Sequence, residues 1–156
     1  MAYSGLVNFF DELKALTSAL ELNGIEYALC GGVALAIHGA PRATQDIDLL
    51  LHREDLEALV RVREELGFTL ESSPMEFASG IRIQRFTKII EGQPFMLDVL
   101  LVTPALAAIF ASRLIVEFEG GRLQVVSREG LITLKLAAAR PQDLVDIQRL
   151  QEISRG

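Results

Sequence analysis

The chain has 156 residues, half of them hydrophobic, one cysteine and a formal net charge of −6. That composition excludes a disordered chain, and the length suits a single domain, residues 1–156, with a core of its own. The acidic balance excludes a broad nucleic-acid-binding surface, and the lone cysteine excludes an internal disulfide.

No apolar stretch reaches membrane-spanning length without a charge or glycine, so no membrane partner is expected. The first residues, MAYSGLVNFFDELK, lack the basic start and small-residue cleavage site of a secretory signal. The expected compartment is the cytoplasm.

From about Leu6 to Leu22, Leu6, Phe9, Phe10, Leu13, Leu16 and Leu20 recur at helical spacing, and Asn23-Gly24 provides a stop. Ile25–Cys30 reads as a strand that runs into Gly31-Gly32 and a short helix through about His38. A strand feeding a glycine turn at a helix start offers free backbone N–H groups to a phosphate. The glycine pair matches neither the dinucleotide fingerprint nor a P-loop. Cys30, His38 and His52 read as packing residues, because no third group orients a nucleophile and base.

Asp46–Leu51 reads as a central strand, and Asp46 and Asp48, two apart, share one of its faces. A lone Asp-x-Asp is ordinarily a solvated strand edge or turn. Here it follows the glycine turn, with Arg42 and Thr44 just ahead. A third acid, Asp98, sits in the apolar run FMLDVLLV. Acids embedded in apolar strands repel one another and lose hydration, which points to a divalent-cation site.

Arg53–Leu66 reads as a helix with Leu56, Leu59, Val60, Val62 and Leu66 inward. A short strand at Phe68–Glu71 and a loop, SSPMEFASG, follow. Ile81–Ile90 alternates as a strand, with Arg82, Gln84 and Lys88 on one face and Arg85 on the other. A turn over Glu91-Gly92-Gln93-Pro94 leads to a strand over Phe95–Val102 that carries Asp98. A short helix from Pro104 to Ser112 precedes two strands, Arg113–Glu119 and Arg122–Val126. Ser127 is the expected N-cap of a helix through Ala139, on which Lys135 is either a solvated lysine or one aimed at phosphates. Pro141 starts a last helix whose Asp143 and Asp146 read as partners of the helix dipole.

Taken together, Gly31-Gly32, Asp46-x-Asp48 and Asp98 resemble the nucleotidyltransferase fold of the polymerase-beta type. The string GGVALAIHGAPRATQDIDLLL with the later LKLAAARPQDLVDIQRL is similar to a small prokaryotic branch that includes abortive-infection toxins and antibiotic nucleotidyltransferases. The resemblance spans roughly residues 6–150. It implies an α+β fold, a mixed sheet with helices packed on it, and transfer of NMP from an NTP to an acceptor in a toxin–antitoxin or defence setting.

It further implies two Mg²⁺ ions on Asp46 and Asp48, with Asp98 sharing the catalytic metal or acting as base. Gly31 and Gly32 would cradle the triphosphate, Lys135 would contact phosphates, and Asp143 or Asp146 would fill the branch's final acidic position. One departure is Val33, where the toxin relatives place Ser or Thr.

The acceptor, whether an RNA end, a protein hydroxyl or a small molecule, is expected at a basic strip of Arg42, Arg82 and Lys88, or on a partner protein or second copy. Two other functions use the same residues: a binding module acting through a partner protein, and a metal-dependent phosphohydrolase.

Overall fold

The structure is a computed structural model describing residues 5–44 and 46–155, with side chains described from residue 9 to residue 153. The first helix, α1 (Gly5–Leu22), buries Phe9, Leu13, Leu16 and Leu20, spaced as one helical face requires. Leu6, expected on that face, lies outside the described side chains, and Phe10 is exposed instead.

Strand β1 (Tyr27–Cys30) turns directly into α2 (Gly31–Ile37), and Gly31 takes φ +61°, a region that L side chains avoid. Strand β2 (Ile47–Leu51) leads through a 3-10 turn to α3 (Leu56–Glu65). On α3 the expected inward Val60 is exposed. Arg63 is buried in its place, with Nη1 donating to the Phe68 carbonyl and the guanidinium lying on the Phe86 ring.

Two short strands follow, β3 (Leu70–Glu71) and β4 (Met75–Glu76), the second inside the expected loop. The long hairpin β5 (Arg82–Ile90) and β6 (Gln93–Leu101) turns through Glu91-Gly92 alone, both at positive φ, as a two-residue type I′ turn requires. Pro94 therefore lies in β6 and not in the turn expected for it.

Helix α4 (Ala107–Ala111) precedes a second such hairpin, β7 (Leu114–Phe118) and β8 (Gly121–Val125), closed by Glu119-Gly120. The chain ends in α5 (Arg128–Ala138), capped by the Ser127 hydroxyl as expected, and α6 (Pro141–Arg155).

The strands form one mixed sheet in the order β3-β5-β6-β2-β1-β8-β7, with β4 also paired to β5. β2 runs parallel to β6 and β1 parallel to β8, while the other pairs are antiparallel. Helices α1 and α3 pack together on one face, where Phe9 meets Phe95 and Phe95 meets Phe68. Helices α2, α5 and α6 gather on the other, α2 against β1 and β2, and α5 against α6. This is the expected fold class, α+β with helices around a mixed sheet.

Candidate active site

The parallel pairing of β2 with β6 sets Asp48 directly beside Asp98. Neighbours in register present their side chains on the same face, so both carboxylates look away from α1 and α3. Asp46 stands one residue ahead of β2, a small shift from its expected place inside the strand. Its backbone N–H donates to Thr44 Oγ1 at 3.2 Å, which holds the approach to the strand.

All three acids line one cavity of about 300 Å³, together with Gly31, Gly32, Arg42 and Lys135. The metal and nucleotide residues read from the sequence thus face the same space. Gly31 and Gly32 make room for it as well as turning the chain. A Cβ at Gly31 would fall 2.7 Å from Asp48 Cγ, and one at Gly32 would fall 2.7 Å from Thr44 Oγ1.

The charges lining the cavity are balanced in number but segregated in space. On the sheet, Asp46, Asp48 and Asp98 face a single cation, Arg85, which pairs across the β5–β6 hairpin. Arg85 Nε and Nη2 donate to the two oxygens of Asp98 at 2.8 and 2.9 Å. Among the described residues Asp48 has no such partner. Burial, then repulsion from Asp98 and Asp46, pushes its carboxyl up to about 7. Burial and Asp98 also raise Asp46, with Arg85 opposing them.

On the helical side, Lys135 is neither a solvated lysine nor a free phosphate lysine. It is buried, with Nζ 2.8 Å from Asp146 Oδ2 and 3.5 Å from Asp143 Oδ1. Arg140 Nε lies 2.7 Å from Asp143 Oδ2, and Arg42 Nε lies 3.3 Å from Asp146 Oδ2. Asp143 and Asp146 are therefore buried anchors of three cations, not the surface dipole partners expected. Burial alone would raise both carboxyls. Hydrogen bonds from Arg140 to Asp143, and from Lys135 and Gln142 to Asp146, outweigh it and hold both below the usual range.

The expected basic strip does not form. Arg82 and Lys88 share a face of β5, but it is the face opposite Arg85, turned toward α1 and α3. There Lys88 Nζ sits 2.6 Å from Glu12 and donates to the Leu66 carbonyl at 2.8 Å. Arg42 alone of the three lines the cavity. Val33, where a hydroxyl was expected, is buried in the core. The packing roles read for Cys30 and His38 agree with their surroundings. The thiol is pushed up by burial and by Asp48, and the imidazole Nε2 lies 2.8 Å from the Val126 carbonyl.

Sequence reasoning missed Arg85, Arg140 and Phe77. Phe77 belongs to an apolar wall of the cavity that also includes Ile83, Leu100 and Leu134. The readable signals were a two-residue turn, which sets Arg85 opposite Asp98, and the spacing Arg140-x-x-Asp143 at a helix start. Among the described residues no three acidic, histidine or cysteine side chains converge closely enough to hold a metal ion as they stand. The three carboxylates share a wall, and Asp98 is turned to Arg85.

Three solved structures of similar fold are nucleotidyltransferases or candidates for that class. A candidate nucleotidyltransferase of Thermotoga maritima aligns at TM-score 0.64 and 17% identity over 93% of each chain. The antibiotic-resistance factor ANT(2'')-Ia aligns at TM-score 0.63 and 19% identity, over 94% of this chain and 83% of its own. The lincosamide antibiotic adenylyltransferase LnuA, bound to lincomycin, aligns at 0.62 and 14%, over 92% and 96%. At such identities these likenesses establish the fold. No curated protein matches the chain in sequence. The model of the family described as "Nucleotidyl transferase AbiEii toxin, Type IV TA system" matches residues 14–156, and the chain belongs to that nucleotidyltransferase family.

Proposed function

We propose that the chain, as a single domain over residues 1–156, transfers a nucleoside monophosphate from an NTP to an acceptor hydroxyl in a Mg²⁺-dependent reaction. The observation that carries this reading is the register of Asp48 beside Asp98 across from Lys135 and Arg140, in one cavity. The donor set fits a hard divalent cation: carboxylate oxygens, an excess of negative charge on the sheet side, and a half-buried Asp48 that has no counter-ion among the described residues. Asp46, Asp48 and Asp98 would hold up to two ions. Bound there, magnesium neutralises charge that spreads over the phosphate oxygens during transfer.

The rest of the work falls to the chain's own groups. The first N–H groups of α2, at Gly31 and Gly32, have no intrahelical acceptor and are suited to phosphate oxygens. Lys135, Arg140 and Arg42, gathered by Asp143 and Asp146, supply positive charge on the opposite wall. Asp98 would share the catalytic metal or act as base toward the acceptor hydroxyl.

The wall of Phe77, Ile83, Leu100 and Leu134 offers an apolar surface to the base or acceptor. A small-molecule acceptor has the support of the antibiotic-modifying neighbours, while RNA ends and protein hydroxyls belong to the same chemistry. The family points to a toxin role with an antitoxin partner, and no described helix is long and apolar enough to cross a membrane. We place the protein in the cytoplasm.

Incubation with α-³²P-labelled ATP and the other NTPs, with Mg²⁺ and with pooled RNA, protein or small-molecule acceptors, tests the reading. Label moved to an acceptor is the expected result. Label released only into water makes the protein a phosphohydrolase, and retention of intact NTP makes it a binding module.

A further inference from the structure

Asp98 is the site acid whose charge is already met. Arg85 approaches it from the neighbouring strand with a bidentate fork, 2.8 Å to one oxygen and 2.9 Å to the other. Pairs of this kind are the strong, geometrically fixed class of ion pair. The Asp98 carboxylate is almost fully buried, while the Arg85 side chain keeps about a third of its surface exposed (33%) toward the cavity. Asp48, its partner in the register, has no cation of its own among the described residues.

The consequence concerns how an ion enters. A cation attracted to Asp46 and Asp48 reaches the third carboxylate at oxygens that each already accept a hydrogen bond from the guanidinium, so the two cations compete for the same charge.

Resting on the divalent-cation reading above, we propose that Arg85 is a positioning residue for Asp98 and an internal competitor of the metal. In the metal-free protein the guanidinium fixes the orientation of Asp98 and occupies the place of a cation, and ion loading across all three acids requires it to swing away. Two features make the exchange physically reasonable. About a third of the Arg85 side chain is exposed at the cavity, which leaves it room to turn. The vacated fork matches phosphate geometry as well as carboxylate, so a nucleotide gives it a second seat.

Mn²⁺ binding to the full chain without nucleotide, followed by electron paramagnetic resonance, tests the proposal independently of turnover. Arg85→Gln should bind Mn²⁺ at least tenfold more tightly than the parent, and Arg85→Lys, with a single donor group on Asp98, should fall between them. In an Asp98→Asn background the same Arg85→Gln change should give less than a twofold gain, because there is no third carboxylate to release.

Circular dichroism and a thermal melt confirm that each variant is folded, and Arg85→Lys carries the test if Arg85→Gln does not fold. Equal or weaker binding by folded Arg85 variants overturns the proposal. So does an undiminished gain in the Asp98→Asn background, which would reduce Arg85 to a general charge effect. If neither parent nor variants bind Mn²⁺, the divalent-cation reading falls as well. If the parent binds Mn²⁺ and transfers label but Arg85 variants bind as it does, only the role of Arg85 falls.

Discussion

At the scale of single residues, Asp48 is the most consequential side chain, because burial and the neighbouring Asp98 and Asp46 all oppose its charge. Its carboxyl moves from 3.8 to about 7 in the folded protein. A group with a raised folded value holds its proton more tightly when folded. Its contribution to stability is therefore full below pH 3.8 and is lost as pH climbs through about 7. The metal-free parent should melt lower at pH 8 than at pH 5. Asp48→Asn should flatten that dependence and raise the pH 8 melting point by roughly 2–4 °C, about 1 kcal/mol, while nearly abolishing transfer. A variant that melts lower than the parent at pH 8 would make Asp48 a structural hydrogen-bonding group.

Lys135 gives the opposite case. It is buried between Asp143 and Asp146, so Lys135→Met leaves those carboxylates only the more exposed Arg140 and Arg42 as cations and should cost about 3 kcal/mol in denaturant unfolding. Arg140 reaches the same Asp143 from a largely exposed position, and Arg140→Ala should cost under about 1 kcal/mol while weakening NTP binding.

At the scale of elements, the corner between β1 and α2 and the β5–β6 hairpin carry the site. Gly31 and Gly24 take similar backbone angles, φ +61° and +69°, so an alanine at either suffers comparable strain, on the order of 1–3 kcal/mol. They differ in what surrounds them. A Cβ at Gly31 collides with the Asp48 carboxylate, while one at Gly24 meets nothing within 4 Å. Gly31→Ala should therefore lose transfer activity beyond its stability loss, and Gly24→Ala should lose stability alone. Equal transfer by the two variants, measured where both are folded, would detach the glycine corner from the chemistry.

The same elements mark how far the sequence could be read. The acids, the glycine pair and Lys135 stood out because charged or special residues interrupt apolar runs, and local pattern reports that directly. The partner of Asp98 did not, because it depends on register. A four-residue turn through Pro94 would set Arg85 opposite Leu100. The Glu91-Gly92 turn, both residues at positive φ, slides the pairing so that Arg85 meets Asp98. Lys88 was misplaced for a related reason: strand alternation gave its face correctly, but which face the helices cover is a tertiary fact. Asp143 and Asp146 looked like surface acids because nothing local revealed that their face of α6 packs against α5.

At the scale of the whole molecule, the relation between charge and stability makes metal binding visible without any turnover. The chain is acidic overall, at −6, and its sheet-side wall concentrates three carboxylates against one arginine. Folding alone therefore holds repulsion that a bound cation relieves. A ligand that binds the folded chain and not the unfolded one stabilises it by RT ln(1 + [L]/Kd), about 2.7 kcal/mol at a hundredfold excess over Kd.

Mg²⁺ at millimolar concentration should thus raise the parent's melting point by a few degrees, with EDTA reversing the shift and an equal ionic strength of NaCl failing to reproduce it. The shift should be larger at pH 8 than at pH 6, since Asp48 must lose its proton before it can act as a ligand, and its carboxyl titrates near 7. Asp46→Asn/Asp48→Asn should erase it. A shift that survives in this double variant would place the ion elsewhere on the acidic surface, and a shift that shrinks from pH 6 to pH 8 would remove Asp48 from its coordination.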